Sequence, residues 1–161
     1  MTNKNLFILF VFIFIVTIIA VGQCNKTALD TAKFAEGTSE LSTLKGHTFF
    51  IVSAVFSPDG KTIVTASGDN TARIWETTTG KELQVLEGHT DMVRSAAFSP
   101  DGKIIVTASK DKTARIWETT TGTELQILKG HTDFVMSAVF SPDGKTIVTT
   151  SDDTTARIWD A

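Results

Sequence analysis

Three histidines, His47, His89 and His131, stand 42 residues apart, and each is followed by aspartates, threonines and one tryptophan before the next begins. Histidine, a carboxylate and a hydroxyl are the ingredients of a nucleophilic triad, in which the carboxylate orients the imidazole and the imidazole takes the hydroxyl proton. Catalysis needs one such set distinguished from its copies by a cleft. Here the three sets are equivalent, which points to a structural use and away from an enzyme. Metal chemistry is no better served: one histidine per 42 residues, without a cysteine in the repeats, lacks the ligand spacing of a zinc site. A glycine-rich phosphate loop is also missing, and no cofactor is expected. Arg73, Arg115 and Arg157 recur at the same interval. They suggest a basic stripe, or more simply side chains that alternate outward, opposite a packed strand face. With 15 basic and 18 acidic residues the net charge is −3, which argues against a nucleic-acid partner held by phosphate neutralisation.

The elements that must position these residues repeat with them. Gly46-His47 returns as Gly88-His89 and Gly130-His131; Ser57-Pro58-Asp59-Gly60 returns at Ser99–Gly102 and Ser141–Gly144; Arg73-Ile74-Trp75 returns at Arg115–Trp117 and Arg157–Trp159. Within one unit, Ile51–Phe56 is apolar and rich in strand formers, and Pro58-Asp59-Gly60 supplies a turn. Thr62–Ser67 is a second strand dense in β-branched residues. Gly68-Asp69-Asn70 turns into a third over Thr71–Glu76, and Thr78–Gly80 into a fourth over Glu82–Leu86. Four short strands in a repeat of this length imply a propeller blade.

Gly-His near the start of each unit, an aspartate six residues before the tryptophan, and Trp159-Asp160 together resemble the WD-repeat family. The first two units depart conservatively, with Trp75-Glu76 and Trp117-Glu118. The resemblance spans 40–161. It implies an all-β fold, a partial β-propeller of three four-stranded blades over about 46–87, 88–129 and 130–161, with 40–44 as a lone fourth strand. By the same resemblance His47, Thr65, Asp69 and Trp75 form a structural tetrad, copied as His89, Thr107, Asp111, Trp117 and as His131, Thr149, Asp153, Trp159. In it the aspartate orients the histidine, the histidine meets the threonine hydroxyl, and that hydroxyl meets the indole N–H. Every buried donor is then matched, where an unmatched one costs about 1–3 kcal/mol.

Ahead of the repeats, Leu6–Gly22 is apolar except for Thr17, and residues 1–24 are expected to be a hydrophobic signal or anchor helix. Its 17 residues would span about 26 Å as a helix, slightly less than the ~30 Å hydrocarbon core. Three readings stand: a secretory signal cleaved near Ala20-Val21-Gly22, an uncleaved anchor, or a lipoprotein box Val21-Gly22-Gln23-Cys24 in which Cys24 is acylated. Cys24 is the single cysteine, so no internal disulfide supports the fold. Residues 25–39 read as a polar linker. The expected location is a membrane surface or outside the cytoplasm.

Comparison of the three copies shows where packing does not dictate the residue. Phe49-Phe50-Ile51-Val52 becomes Asp91-Met92-Val93-Arg94 and Asp133-Phe134-Val135-Met136, and Gly68 becomes Lys110 and Asp152. In the family resembled, both places open onto one face around the central channel, a face that recruits proteins or peptides. Its members here are Phe50, Val52, Gly68, Met92, Arg94, Lys110, Phe134, Met136 and Asp152. Apolar anchors among scattered charges are the pattern of a binding hot spot, so a non-catalytic interaction scaffold is expected, with an open fragment of a larger repeat protein as the alternative. Propellers have four to eight blades. A homodimer closing a six-blade ring is therefore the expected assembly, with a lone strand near Leu41 filling the edge of the last blade.

Overall fold

The computed structural model describes residues 40–161, and these form one unit. Eleven strands lie among them, in three antiparallel sheets. The first sheet is β1 (Ile51–Phe56), β2 (Thr62–Ser67), β3 (Ala72–Glu76) and β4 (Glu82–Leu86), neighbours in that order. The second repeats it with β5 (Val93–Phe98), β6 (Ile104–Ser109), β7 (Thr113–Glu118) and β8 (Glu124–Lys129). The third holds only β9 (Val135–Phe140), β10 (Thr146–Ser151) and β11 (Ala156–Asp160). The expectation of three four-stranded blades is thus corrected to four, four and three. Glu82 stands seven positions after Trp75, so the matching strand after Trp159 would start beyond residue 161. Residues 40–44, expected to be a lone strand, pair with no strand among the described residues. The apolar helix expected over 6–22, Cys24 and the linker lie outside the described residues. Among the described residues no helix is long and apolar enough to cross a membrane.

Local chemistry makes the hairpins. In the first turn Asp59 Oδ1 accepts from Ser57 Oγ at 2.7 Å and from Lys61 N at 3.1 Å, and Ser57 Oγ accepts from Thr62 N at 3.0 Å. The same cage recurs at Ser99/Asp101 and at Ser141/Asp143, which is why the turn motif returns unchanged. The turn after β2 ends on Asn70, at φ 70°. Asparagine tolerates this left-handed conformation. Lys112 and Thr154 hold the equivalent positions at φ 70° and 69°, and for a β-branched threonine that geometry is strained.

The core lies between sheets. Val64, Ala66, Ala72, Ile74 and Leu86 of the first sheet pack against Val93, Ala96, Ile105 and Trp117 of the second. Val106, Ala108, Ala114, Ile116 and Leu128 of the second repeat this contact on Val135, Ala138 and Ile147 of the third. Full burial of such a side chain contributes about 1.5–3 kcal/mol. Each sheet is therefore stabilised chiefly by its neighbour, and β1, β5 and β9 are the inner strands that touch from sheet to sheet.

Thr154→Asn relieves the left-handed strain and should stabilise the protein by up to about 1 kcal/mol. A urea titration followed by circular dichroism checks this; an unchanged or lower midpoint would show that Thr154 carries no such strain.

Candidate functional site

The structure brings each set of histidine, threonine, aspartate and tryptophan together. Asp69, on the turn after β2, and Thr65, within β2, flank His47 from opposite sides. His47 Nδ1 lies 2.8 Å from Asp69 Oδ2, His47 Nε2 lies 2.7 Å from Thr65 Oγ1, and Trp75 Nε1 donates to Thr65 Oγ1 at 2.8 Å. The second copy has 2.7, 2.8 and 2.8 Å, and the third 2.7, 2.8 and 2.9 Å. One assignment satisfies the whole chain: the indole N–H donates to the hydroxyl, the hydroxyl to Nε2, and Nδ1–H to the carboxylate. The hydroxyls of Thr65, Thr107 and Thr149 are buried and saturated. A nucleophile must reach a substrate, and these hydroxyls face protein on every side.

The aspartates are the most heavily solvated by protein donors. Asp69 Oδ1 accepts from Thr71 N and Thr71 Oγ1, and Oδ2 accepts from Thr48 N besides His47. Burial alone would raise the Asp69 pKa, but hydrogen bonds from Thr71, Thr48 and His47 outweigh it and hold the carboxyl far below its ordinary range. Asp111 is lowered in the same way, burial opposing and His89 and Thr113 prevailing; for Asp153 the Thr155 hydroxyl contributes most.

The arginines do not alternate outward, as the strand pattern suggested. Arg73 folds back over the tetrad, its side chain mostly buried, and pairs with Glu82 of β4 at 2.5 Å and Asp69 at 4.0 Å. Arg115 likewise pairs with Glu124 and, at 3.8 Å, with Asp111. A fourth-strand glutamate supplies the countercharge, so the arginine points toward it across the strand pair. The guanidinium also explains the glycine of Gly-His: a Cβ at Gly88, whose φ is +156°, would lie 2.7 Å from Arg115 Nη1.

The nine residues expected to form the binding face gather at a different feature. Gly68 N donates to Phe50 O at 2.9 Å, Lys110 N to Met92 O at 2.9 Å, and Asp152 N to Phe134 O at 3.0 Å. Each loop residue is thus tied to the residue that enters the inner strand. The pairing of β1 with β2 skips Val52, that of β5 with β6 skips Arg94, and that of β9 with β10 skips Met136. These are β-bulges, which leave one residue unpaired and re-aim its side chain. The bulges were not anticipated, although an apolar run interrupted by Arg94 breaks strict alternation and could have signalled them. Chemistry varies around the face: Phe49 and Phe50 stack at 4.7 Å above Gly68, whereas Lys110 Nζ sits 5.2 Å from the ring centre of Phe134 in the next repeat.

Three consecutive stretches, residues 38–76, 80–118 and 122–160, match the WD domain, G-beta repeat. The chain belongs to the WD-repeat family. Each WD repeat runs from a fourth-strand segment through the first three strands of the following sheet, so repeats and sheets are out of phase. Among relatives, the B-type cell cycle switch protein ccs52A of Medicago truncatula is 54% identical over 37 residues, which cover 23% of this chain and 8% of that protein. Protein FIZZY-RELATED 2 of Arabidopsis thaliana is 51% identical over 37 residues, with the same shares. An uncharacterized WD repeat-containing protein of Synechocystis is 45% identical over 53 residues, 32% of this chain and 15% of the relative. The matched WD segments therefore span less than a sixth of these proteins.

Two outcomes follow for the tetrads. Thr107→Val keeps the shape but leaves His89 Nε2 and Trp117 Nε1 unpaired, and should cost about 2–4 kcal/mol in a urea titration; a loss near zero would mean the hydroxyl is dispensable. The depressed carboxyls contribute stability that is fully present above their ordinary pKa of 3.8 and is lost as pH falls below it. Calorimetric melting should accordingly fall away below about pH 4, with a shallower acid limb in Asp111→Asn.

Proposed function

We propose that this chain is a non-catalytic scaffold that binds a protein or peptide through the bulged face. One observation carries this: at the three bulges and the loops tied to them the copies exchange apolar side chains for charged ones, while the tetrads and the Ser-Pro-Asp-Gly turns are the same in all three. Tetrads and the Ser-Pro-Asp-Gly turns are uniform, as a load shared equally among copies requires. The face offers Phe50, Met92 and Phe134 as apolar anchors beside Arg94, Lys110 and Asp152, the mixture found at hot spots. The WD-repeat family supports the same general role. No cofactor enters this function, and the acidic charge balance speaks against nucleic acid.

The scaffold is further proposed to work at a membrane surface or outside the cytoplasm, on the support of the apolar run at 6–22 and its small-residue and Cys24 motifs. Mass measurement of the mature N-terminus separates a cleaved signal, an anchor and an acylated Cys24. Its assembled form is proposed to be a homodimer, six blades in a ring. A second reading, a segment of a longer WD-repeat protein, is supported by the matched segments covering only 8% and 15% of the relatives.

Replacing Phe50, Met92 and Phe134 together with serine should leave the fold nearly intact and weaken a captured partner at least about tenfold. Affinity capture with the full chain identifies the partner and titration calorimetry measures it. Equal affinities for wild type and variant would remove this face from consideration.

A further inference from the structure

We infer that the middle unit's part of the bulged face holds an acidic, carboxylate-bearing peptide on Arg94, Lys110 and Lys112, with an apolar residue of that peptide seated on Phe134. This rests on the reading of the bulged face as the binding surface and names the chemistry of what binds there. Charge separates the three copies at this place. Arg94, Lys110 and Lys112 stand where the first unit has Val52, Gly68 and Asn70, and where the third has Met136, Asp152 and Thr154. Three cations therefore meet in one unit of a chain whose net charge is −3. That unit has a neighbouring sheet packed on either side.

None of the three cations is neutralised by protein. Among the described residues no carboxylate lies within ion-pair distance of any of them, whereas Lys61, Arg73, Lys103 and Arg115 each have one. The carboxylates next in sequence are committed elsewhere. Asp111, between the two lysines, is held by His89, the amide of Thr90 and Thr113. Asp91 Oδ1 accepts from Met92 N at 2.6 Å, and Asp133 Oδ1 from Phe134 N at 2.8 Å. The cations rest on substitutes instead. Arg94 Nη1 lies 3.9 Å from Met92 Sδ, Lys112 Nζ donates to Thr132 O at 3.0 Å, and Lys110 Nζ sits 5.2 Å from the ring centre of Phe134. A thioether, a neutral carbonyl and a π face are each poorer partners for a cation than a carboxylate is.

Lys110 and Phe134 couple the charge to an apolar contact. The ammonium covers the ring in the free protein. Drawn onto a carboxylate, it uncovers the ring for an apolar side chain beside that carboxylate. Arg94 joins the two lysines because the bulge takes it out of the alternation of β5. The cations thus come from two segments, and each reaches a different neighbour. Such a spread suits successive carboxylates along an extended peptide better than one compact anion. The backbone amides that would cradle a phosphoryl group are also occupied, Lys110 N by Met92 O and Asp111 N by Ser109 Oγ. Exposed Asp91 precedes Met92, and exposed Asp152 is tied through its amide to Phe134 O. These two carboxylates beside the cluster would repel the continuous phosphate charge of a nucleic-acid strand, so the charge pattern favours a peptide.

The test is fluorescence anisotropy on the full chain in detergent, with the labelled peptide Gly-Glu-Glu-Phe-Glu-Gly as probe. The peptide should bind, and its glutamine counterpart should bind at least about tenfold more weakly. Arg94→Met and Lys112→Asn each install the residue of another copy. These two and Lys110→Gln should each weaken the glutamate peptide at least about threefold. Added salt should shrink those differences as screening grows. Serine in place of the peptide's phenylalanine should weaken binding to wild type and leave binding to Phe134→Ser unchanged. Circular dichroism of each variant establishes that it is folded. Absence of binding, equal affinity for the glutamate and glutamine peptides, or indifference to all three cation substitutions overturns the assignment. A phenylalanine effect that persists in Phe134→Ser overturns the seat on that ring. An oligouridylate that binds as tightly as the peptide at the same salt makes the ligand a nucleic acid and also overturns it. A captured protein partner weakened by serine at Phe50, Met92 and Phe134, but not by the cation substitutions, sinks this assignment alone. Indifference to both sets removes the face itself.

Discussion

A sheet of four short strands has two faces, and in this chain both are apolar. Neither can be covered by the residues of its own repeat, so each blade is stabilised by the blade beside it. The rest of the structure follows from that constraint. The face carrying Val64 and Ile74 is cut to fit the face carrying Val93, Ala96 and Ile105, and the same fit is made again between the second sheet and the third. Identity among the copies is then a packing requirement, because every junction is the same junction.

Burying both faces forces polar groups inward with them, and the tetrad is how these are accommodated. A threonine hydroxyl in the middle strand receives the indole N–H and meets the histidine, and the histidine reaches the turn aspartate. That one carboxylate also organises its turn, through the amide and hydroxyl of Thr71, and the chain entering the blade, through Thr48 N. The network thus ties an incoming segment, a middle strand, a third strand and a turn into one unit. The arginine and the fourth-strand glutamate extend it to the outer strand, so Arg73 reports on whether a blade is complete.

The exchanges of apolar for charged residues at the bulges fall where this framework leaves the residue free. A bulge breaks the ladder between the first and second strands of each sheet, and the skipped residues are Val52, Arg94 and Met136. Because a bulged residue escapes the alternation that decides inside from outside, its identity is not dictated by the core. Side chains can therefore diversify there while the packing between sheets is kept. The strained left-handed position after the tetrad aspartate, occupied by asparagine, lysine and threonine in turn, lies beside the same face.

The sequence by itself determined the repeat, the strands and the participants of the tetrad. Period, turn residues and β-branched runs are local or recurrent signals; strand limits read from them agree with the structure to a residue, the difference at Thr71 arising because β4 stops at Leu86, whereas the equivalent Thr113 pairs with Lys129 of β8. Only the tertiary structure decided the direction of the arginines, the bulges and the state of the ends. An arginine in an alternating strand reads as outward, and its turn back over the tetrad depends on a glutamate of the neighbouring strand, a partner that local periodicity cannot reveal. A bulge is a relation between two strands, and neither strand alone encodes it. Whether 40–44 is a strand is likewise undecidable from its residues, since a strand exists only where another edge receives its hydrogen bonds.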